Sequence, residues 1–285
     1  MQTTPTSPPS FAQIAISSLA IGFAYALASA LAALILGPLS RLAVSPENLL
    51  VWLISGTLVA LSLAPFITHA VWSRPRTLLA VWAILTCVRS LGLGIEGSLF
   101  KPTQALNAIV GAIAGCLIAL LVAWISVRLL MPSDTLSQHP AARGHGFWGW
   151  AWRVIVVGLA YFAFYFIFGA ANALLYTRSF YENNPQYGLT LPPAATIFIA
   201  QLLRGPLFGL GSLVIVLSAD APRLRMAVWL GLLLFVVGGL GPYLEITFRT
   251  MPFGFNLATL AEIFLQNFLT GVVAVNLYKP RAPLG

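Results

Sequence analysis

Charge is what this chain most lacks. Asp, Glu, Lys and Arg make up 8% of its 285 residues, against about 25% in soluble domains, so a water-exposed globular surface cannot be built from it. Aspartate occurs only as Asp134 and Asp220. Neither lies in the middle of an apolar run, which argues against an aspartyl dyad or an aspartate-rich diphosphate site. The two cysteines, Cys87 and Cys116, fall in separate apolar runs, giving neither a disulfide framework nor a metal-ligand spacing; small buried hydrophobes are the ordinary identity of such thiols. Of the three histidines, only His69 falls within a predicted membrane segment, near its inner end, and no HExxH or paired-histidine arrangement occurs. Walker A and the potassium-filter sequence TVGYG are missing too, and Ser212 in GLGSL has no sequence-near histidine to activate it. No cofactor or metal is implied. These absences weigh against an enzyme.

What the chain has in abundance is apolar length. Hydrophobic residues reach 59% and the mean hydropathy is +0.90. Crossing the roughly 30 Å hydrocarbon layer as helix takes about 20 apolar residues, and eight such runs are predicted near 13–36, 48–72, 77–97, 104–130, 149–176, 193–218, 224–245 and 255–278. They are continuous and lack period-two alternation, which disfavours a barrel. The fold class expected is therefore an all-α integral membrane protein whose first partner is the lipid bilayer. Residues 1–12, MQTTPTSPPSFA, read as a disordered tail without the basic n-region of a cleaved signal, so the first apolar run is expected to be retained.

The formal charge of +8 comes from basic residues dispersed between the runs. They form no stripe or cluster for nucleic acid; they read as topology. With a cytoplasmic N-terminus, the inner segments carry Arg74, Arg76, Arg128, Arg143, Arg153, Arg223, Arg225, Lys279 and Arg281. The outer ones carry Arg41, Lys101, Arg178 and Arg249. The positive-inside rule then puts both termini in the cytoplasm, and a bacterial inner membrane is the expected compartment.

PRTLLAVW at 75–82 returns as PRLRMAVW at 222–229. Aligned without a gap, 73–94 and 220–241 match Pro75 with Pro222, Arg76 with Arg223, the two AVW triplets and the two GLG triplets. At slightly shifted offsets Gly22 and Tyr25 match Gly158 and Tyr161, Gly56 matches Gly205, Ser55 faces Arg204, and Glu96 and Glu245 follow the two GLG triplets. Four helices per unit is an even number, so the expectation is two four-helix repeats in parallel orientation, 13–130 and 149–278. Residues 131–148 would be a cytoplasmic linker and 279–285 a C-terminal tail. Some transporters bind substrate between halves so related.

Ionisable groups inside the hydrocarbon layer cost about 2.5–3.5 kcal/mol each at the centre and are functional candidates for that reason. Arg204 is placed about 17 Å below the outer end of the sixth helix and Glu262 about 10 Å into the eighth. Gln201 and Gln266 stand one turn from them on the same faces. A polar network of Arg204, Glu262, Gln201 and Gln266 is expected, with Arg89 as a second arginine or as a partner of Glu96 on its own face. Two arginines sharing one carboxylate would leave surplus positive charge for an anionic lipid. Glu96, Glu245, Lys101 and Arg249 are expected at the outer interface as anchors or as a gate. The connection at 177–194 would lie along the outer headgroups or cover a cavity. Small residues in GPLFGLG and GAIAGC suit close helix packing. The functional expectation is a protein that binds or transports a small solute or lipid-like ligand between two pseudo-symmetric halves; a non-catalytic scaffold or subunit is the second reading, and an intramembrane enzyme the third.

Overall fold

The computed structural model describes residues 9–40, 44–100, 105–132, 146–184 and 192–279. Proline sets where most helices begin. Pro46 and Pro75 occupy the first turns of the second and third spans, and Pro193, Pro222 and Pro252 stand immediately before the sixth, seventh and eighth; at these positions the missing N–H forfeits no helical hydrogen bond. Ser45 adds a side-chain cap, its hydroxyl accepting from the Asn48 amide at 3.2 Å.

Eight helical spans are long and apolar enough to cross a membrane: Phe11–Leu36, Pro46–Thr68, Arg74–Phe100, Ala105–Leu130, Phe147–Phe180, Ala194–Ser218, Arg223–Ile246 and Phe253–Tyr278. They overlap the eight apolar runs, and the largest differences fall at the ends of the second and fifth. The second span stops at Thr68, not near 72, because the chain leaves the helix to pair with a second turn. The Val71 amide donates to the Ser218 carbonyl at 2.9 Å and the Asp220 amide to the His69 carbonyl at 3.0 Å, an isolated antiparallel bridge between Ala70 and Ala219. The fifth span, conversely, runs beyond 176 through a π-helical turn, Ala173–Thr177, into Arg178–Asn183, where an Arg178–Glu182 pair at 3.0 Å supports the last helical turn. The part of the expected outer connection at 185–191, most of the expected linker at 133–145 and the first eight residues lie outside the described residues.

Spans two, three, six and seven form the centre, and spans one, four, five and eight surround them: the sixth span's apolar window is 61% buried, the fourth's and fifth's 17%. Large side chains of the central four, among them Phe66, Ile84, Phe208 and Leu233, are fully buried, while Leu106, Ile113, Leu117 and Trp124 of the fourth span face outwards. The first span packs on the second and fourth, the third on the fourth, the fifth on the sixth and eighth, and the seventh on the eighth; across the middle the third packs on the sixth and the second on the seventh. Without a hydrophobic drive in lipid, such packing relies on small residues that let backbones approach. A Cβ on Gly205 would sit within 2.4 Å of the Gly158 carbonyl oxygen, and one on Gly271 within 2.5 Å of the Gly231 nitrogen.

The bridge sets both Pro-Arg turns at one end of the bundle. Here Arg153 Nε donates to the Leu277 carbonyl at 3.1 Å and Arg223 Nη2 to the Asn276 carbonyl at 2.8 Å, satisfying final carbonyls of the eighth span with positive charge. Lys279 pairs with Asp220 at 2.9 Å.

Candidate functional site

Two arginines sit inside the helical layer, and each has its own carboxylate. Arg89 lies on a π-helical turn of the third span, Leu85–Leu91, a wider turn often found at functional sites. Its Nη2 donates to Glu245 Oε1 and to the Tyr25 hydroxyl, both at 2.6 Å, and the Tyr25 hydroxyl donates to the same Glu245 oxygen at 3.0 Å. The first, third and seventh spans thus meet at one ion pair whose side chains are 11% and 14% exposed. Space for the guanidinium comes from Gly241, where a Cβ would lie 2.6 Å from Arg89 Nη1 and 3.0 Å from Ser55 Oγ. Both Arg89 Nη1 and Ser55 Oγ are buried with no hydrogen-bond partner among the described residues.

The second cluster joins the third, fifth and sixth spans. Arg204 Nη1 pairs with Glu96 Oε1 and lies 3.3 Å from Gln201 Oε1. Gln201 Nε2 donates to Glu96 at 3.2 Å, and the Tyr161 hydroxyl donates to Gln201 Oε1 at 3.1 Å. The guanidinium lies 5.7 Å from the Tyr161 ring and 5.6 Å from the Phe208 ring, which stack on each other at 4.2 Å. Arg204 is therefore held on a cation–π platform as well as by charge.

The expected Arg204–Glu262 pair is replaced by Arg204–Glu96. Glu262 instead accepts from Asn172 Nδ2 at 2.6 Å and lies against Gly169. Gln266 is buried in the eighth span, its Oε1 without a partner among the described residues. Arg89 does not pair with Glu96 but with Glu245, so neither glutamate acts as a free interfacial anchor. Arg249 donates to Asn48, tying the segment after the seventh span to the start of the second. Lys101 lies outside the described residues. The surplus of positive charge expected to favour an anionic lipid is not formed by these two arginines, since each guanidinium is matched by a carboxylate. Tyr25, Tyr161 and Asn172 belong to the site and were missed as site residues; the duplicated Gly-x-x-Tyr was the signal for the two tyrosines.

A cavity of about 390 Å³ adjoins the first cluster. It lies within the first four spans, closed on one side by Glu245 and Ile246 of the seventh, and not between the two sets of four. Tyr25, Ser29, Arg89, Ser90 and Glu245 bring polar side chains to it, and most of the remaining wall is aliphatic or glycine. Gly94, Gly97, Ala108, Gly111, Ala112 and Gly115 line it from the third and fourth spans, so small residues here also border open space. Pockets of this size and make-up, apolar with a few placed polar groups, are the usual form of a small-molecule site. No group of three or more His, Cys, Asp or Glu able to hold a metal occurs among the described residues. Comparison with known proteins finds no matching family model, no matching curated protein and no matching solved structure.

Proposed function

We propose that this multi-pass membrane protein binds or moves a small solute or lipid-like ligand and is built from two parallel four-helix halves. The observation that carries the ligand reading is the cavity of about 390 Å³ with a buried Arg89–Glu245–Tyr25 cluster in its wall. A polar cluster in the spanning layer is costly, and such groups usually serve a pathway or site.

Three features support the paired halves. Each main contact has a counterpart four spans later: first on second with fifth on sixth, first on fourth with fifth on eighth, third on fourth with seventh on eighth, third on sixth with seventh on second. The turns preceding the two Pro-Arg motifs pair with each other, as expected where equivalent segments meet at a twofold axis. Each cluster combines a tyrosine of the repeated Gly-x-x-Tyr with the glutamate after the other half's GLG. The arginine breaks the rule: it comes from the sixth span in one cluster and from the third in the other, where Ser55 occupies the position aligned with Arg204.

The scaffold reading has its own support in the Arg204–Glu96–Gln201–Tyr161 cluster, whose groups bond one another and border no part of the cavity. Titrating purified protein in lipid with a panel of small solutes and single-chain lipids separates the two. Saturable binding of one panel member is expected; binding of none, with a stoichiometric protein partner co-purifying, favours the scaffold.

Orientation is tested apart from the ligand. In a background lacking Cys87 and Cys116, exposed Arg76 and Arg225 are each replaced by cysteine and treated with an impermeant maleimide. Both should label only from the cytoplasmic side of a bacterial inner membrane. Labelling from opposite sides defeats the parallel halves.

A further inference from the structure

We propose that the cavity of the first four spans takes one uncharged amphiphile, a single hydrocarbon chain ending in a hydroxyl or amide, which arrives sideways from the bilayer. This rests on the ligand-binding reading above and names its ligand class.

The charge balance of the cavity wall carries the first step. Among the described residues of the wall Arg89 and Glu245 are the ionised groups, and they neutralise each other at 2.6 Å. A charged headgroup would add an unmatched charge to a largely apolar chamber, and it would be repelled by whichever member of the pair shares its sign. In a low-dielectric setting that penalty outweighs one hydrogen bond. A neutral head escapes it.

The second step is the hydrogen bonding left over. Glu245 Oε1 accepts from both Arg89 and Tyr25, while Glu245 Oε2 has no bond among the described residues and is not among the fully buried unpaired atoms. The group that suits this oxygen is a donor, an O–H or an amide N–H. Ser29 and Ser90, which also line the chamber, can exchange donor and acceptor roles with the same head.

The third step is access. The cavity-lining residues of the fourth span, Ala108, Gly111, Gly115, Ala119 and Val122, recur at helical spacing on one face, opposite the outward Leu106, Ile113 and Leu117. Gly111 lines the chamber yet is exposed, and a Cβ there would meet nothing within 4 Å. It lies six residues into its span, about 9 Å along the helix at 1.5 Å per residue. With no side chain on Gly111 the wall is thinnest at hydrocarbon depth, the route that a ligand dissolved in lipid would take and a water-borne solute would not.

Trp52, 5% exposed and lining the cavity, supplies the readout. The full chain in lipid nanodiscs is titrated with 12-bromododecanol, the matching bromododecyl sulfonate and the matching bromododecyl trimethylammonium. Subtracting the signal of Trp52→Phe isolates quenching at Trp52 from that at outward tryptophans. The alcohol should quench Trp52 saturably, and the two charged probes should need at least about tenfold higher mole fraction, a conservative reading of the cost of a charge within the layer. Gly111→Phe, which meets no backbone obstacle, should abolish Trp52 quenching while the protein stays monodisperse. Equal potency of a charged probe overturns the neutral head and leaves ligand binding standing. Undiminished quenching in Gly111→Phe overturns sideways access. Saturable Trp52 quenching by none of the three overturns the cavity as a chain-binding site, and the solute panel then decides the broader reading.

Discussion

Glu96→Ala should destabilise the protein by about 3–5 kcal/mol, the range for stripping one partner from a buried ion pair. Arg204 is 4% exposed and is held by Glu96, Gln201 and two aromatic faces. Without Glu96 its guanidinium keeps one neutral acceptor, Gln201 Oε1. The reverse change, Arg204→Met, should cost less, because the Glu96 side chain is 24% exposed and Gln201 Nε2 still donates to it. Joining the two as Glu96→Leu with Arg204→Met should recover most of the loss, since a well-packed apolar substitute for a buried pair is often neutral or better. Reversible unfolding in mixed micelles measures all three. A Glu96→Ala loss nearer about 1 kcal/mol, the size seen for exposed pairs, would mean that water reaches Arg204 and that the cluster is not a lock.

The second large effect is expected at Gly205. A Cβ there falls 2.4 Å from the Gly158 carbonyl oxygen and 2.9 Å from its carbon, so the obstacle is backbone on a facing helix and no rotamer relieves it. Gly205→Val should force the fifth and sixth spans apart, at the upper end of or beyond the roughly 1–3 kcal/mol typical of overpacking. Gly111→Val, added into open space, is the matched control and should leave stability within about 0.5 kcal/mol, as surface changes do. Thermal unfolding followed by size-exclusion chromatography distinguishes them. Equal midpoints for the two variants would show that the Gly158–Gly205 contact is not as close as described.

The spans were legible from sequence because lipid leaves helices few alternatives: a continuous apolar run of sufficient length, opened by proline, has one stable form there. The partners of the charges were not. Depth along a helix gave Arg204 and Glu262 comparable heights but could not give the direction each side chain takes around its axis. In the third span the obstacle is specific. Arg89 and Glu96 are seven residues apart, two turns of an ordinary helix, and so were expected on one face. The π-helical turn at Leu85–Leu91 holds extra chain, and one residue amounts to about 100° of rotation at 3.6 residues per turn. Arg89 consequently meets the seventh span and Glu96 the sixth. The second span's early end has a similar origin, since the pairing of Ala70 with Ala219 joins residues whose contact no local pattern encodes. The cavity escaped notice because glycine and alanine spacing reads alike whether it brings helices together or leaves room beside them.

The stitch between Ala70 and Ala219 fixes where leverage can act. Two hydrogen bonds fasten the turns before the third and seventh spans at one rim of the bundle, so any tilt between those spans would pivot there and be largest at the far rim. Over a layer of roughly 30 Å, a tilt of about 5° carries the far rim about 2.6 Å, enough to part a hydrogen bond from its acceptor. Arg89–Glu245 and Arg204–Glu96, which join the third span to the seventh and to the sixth, would both have to part in such a tilt.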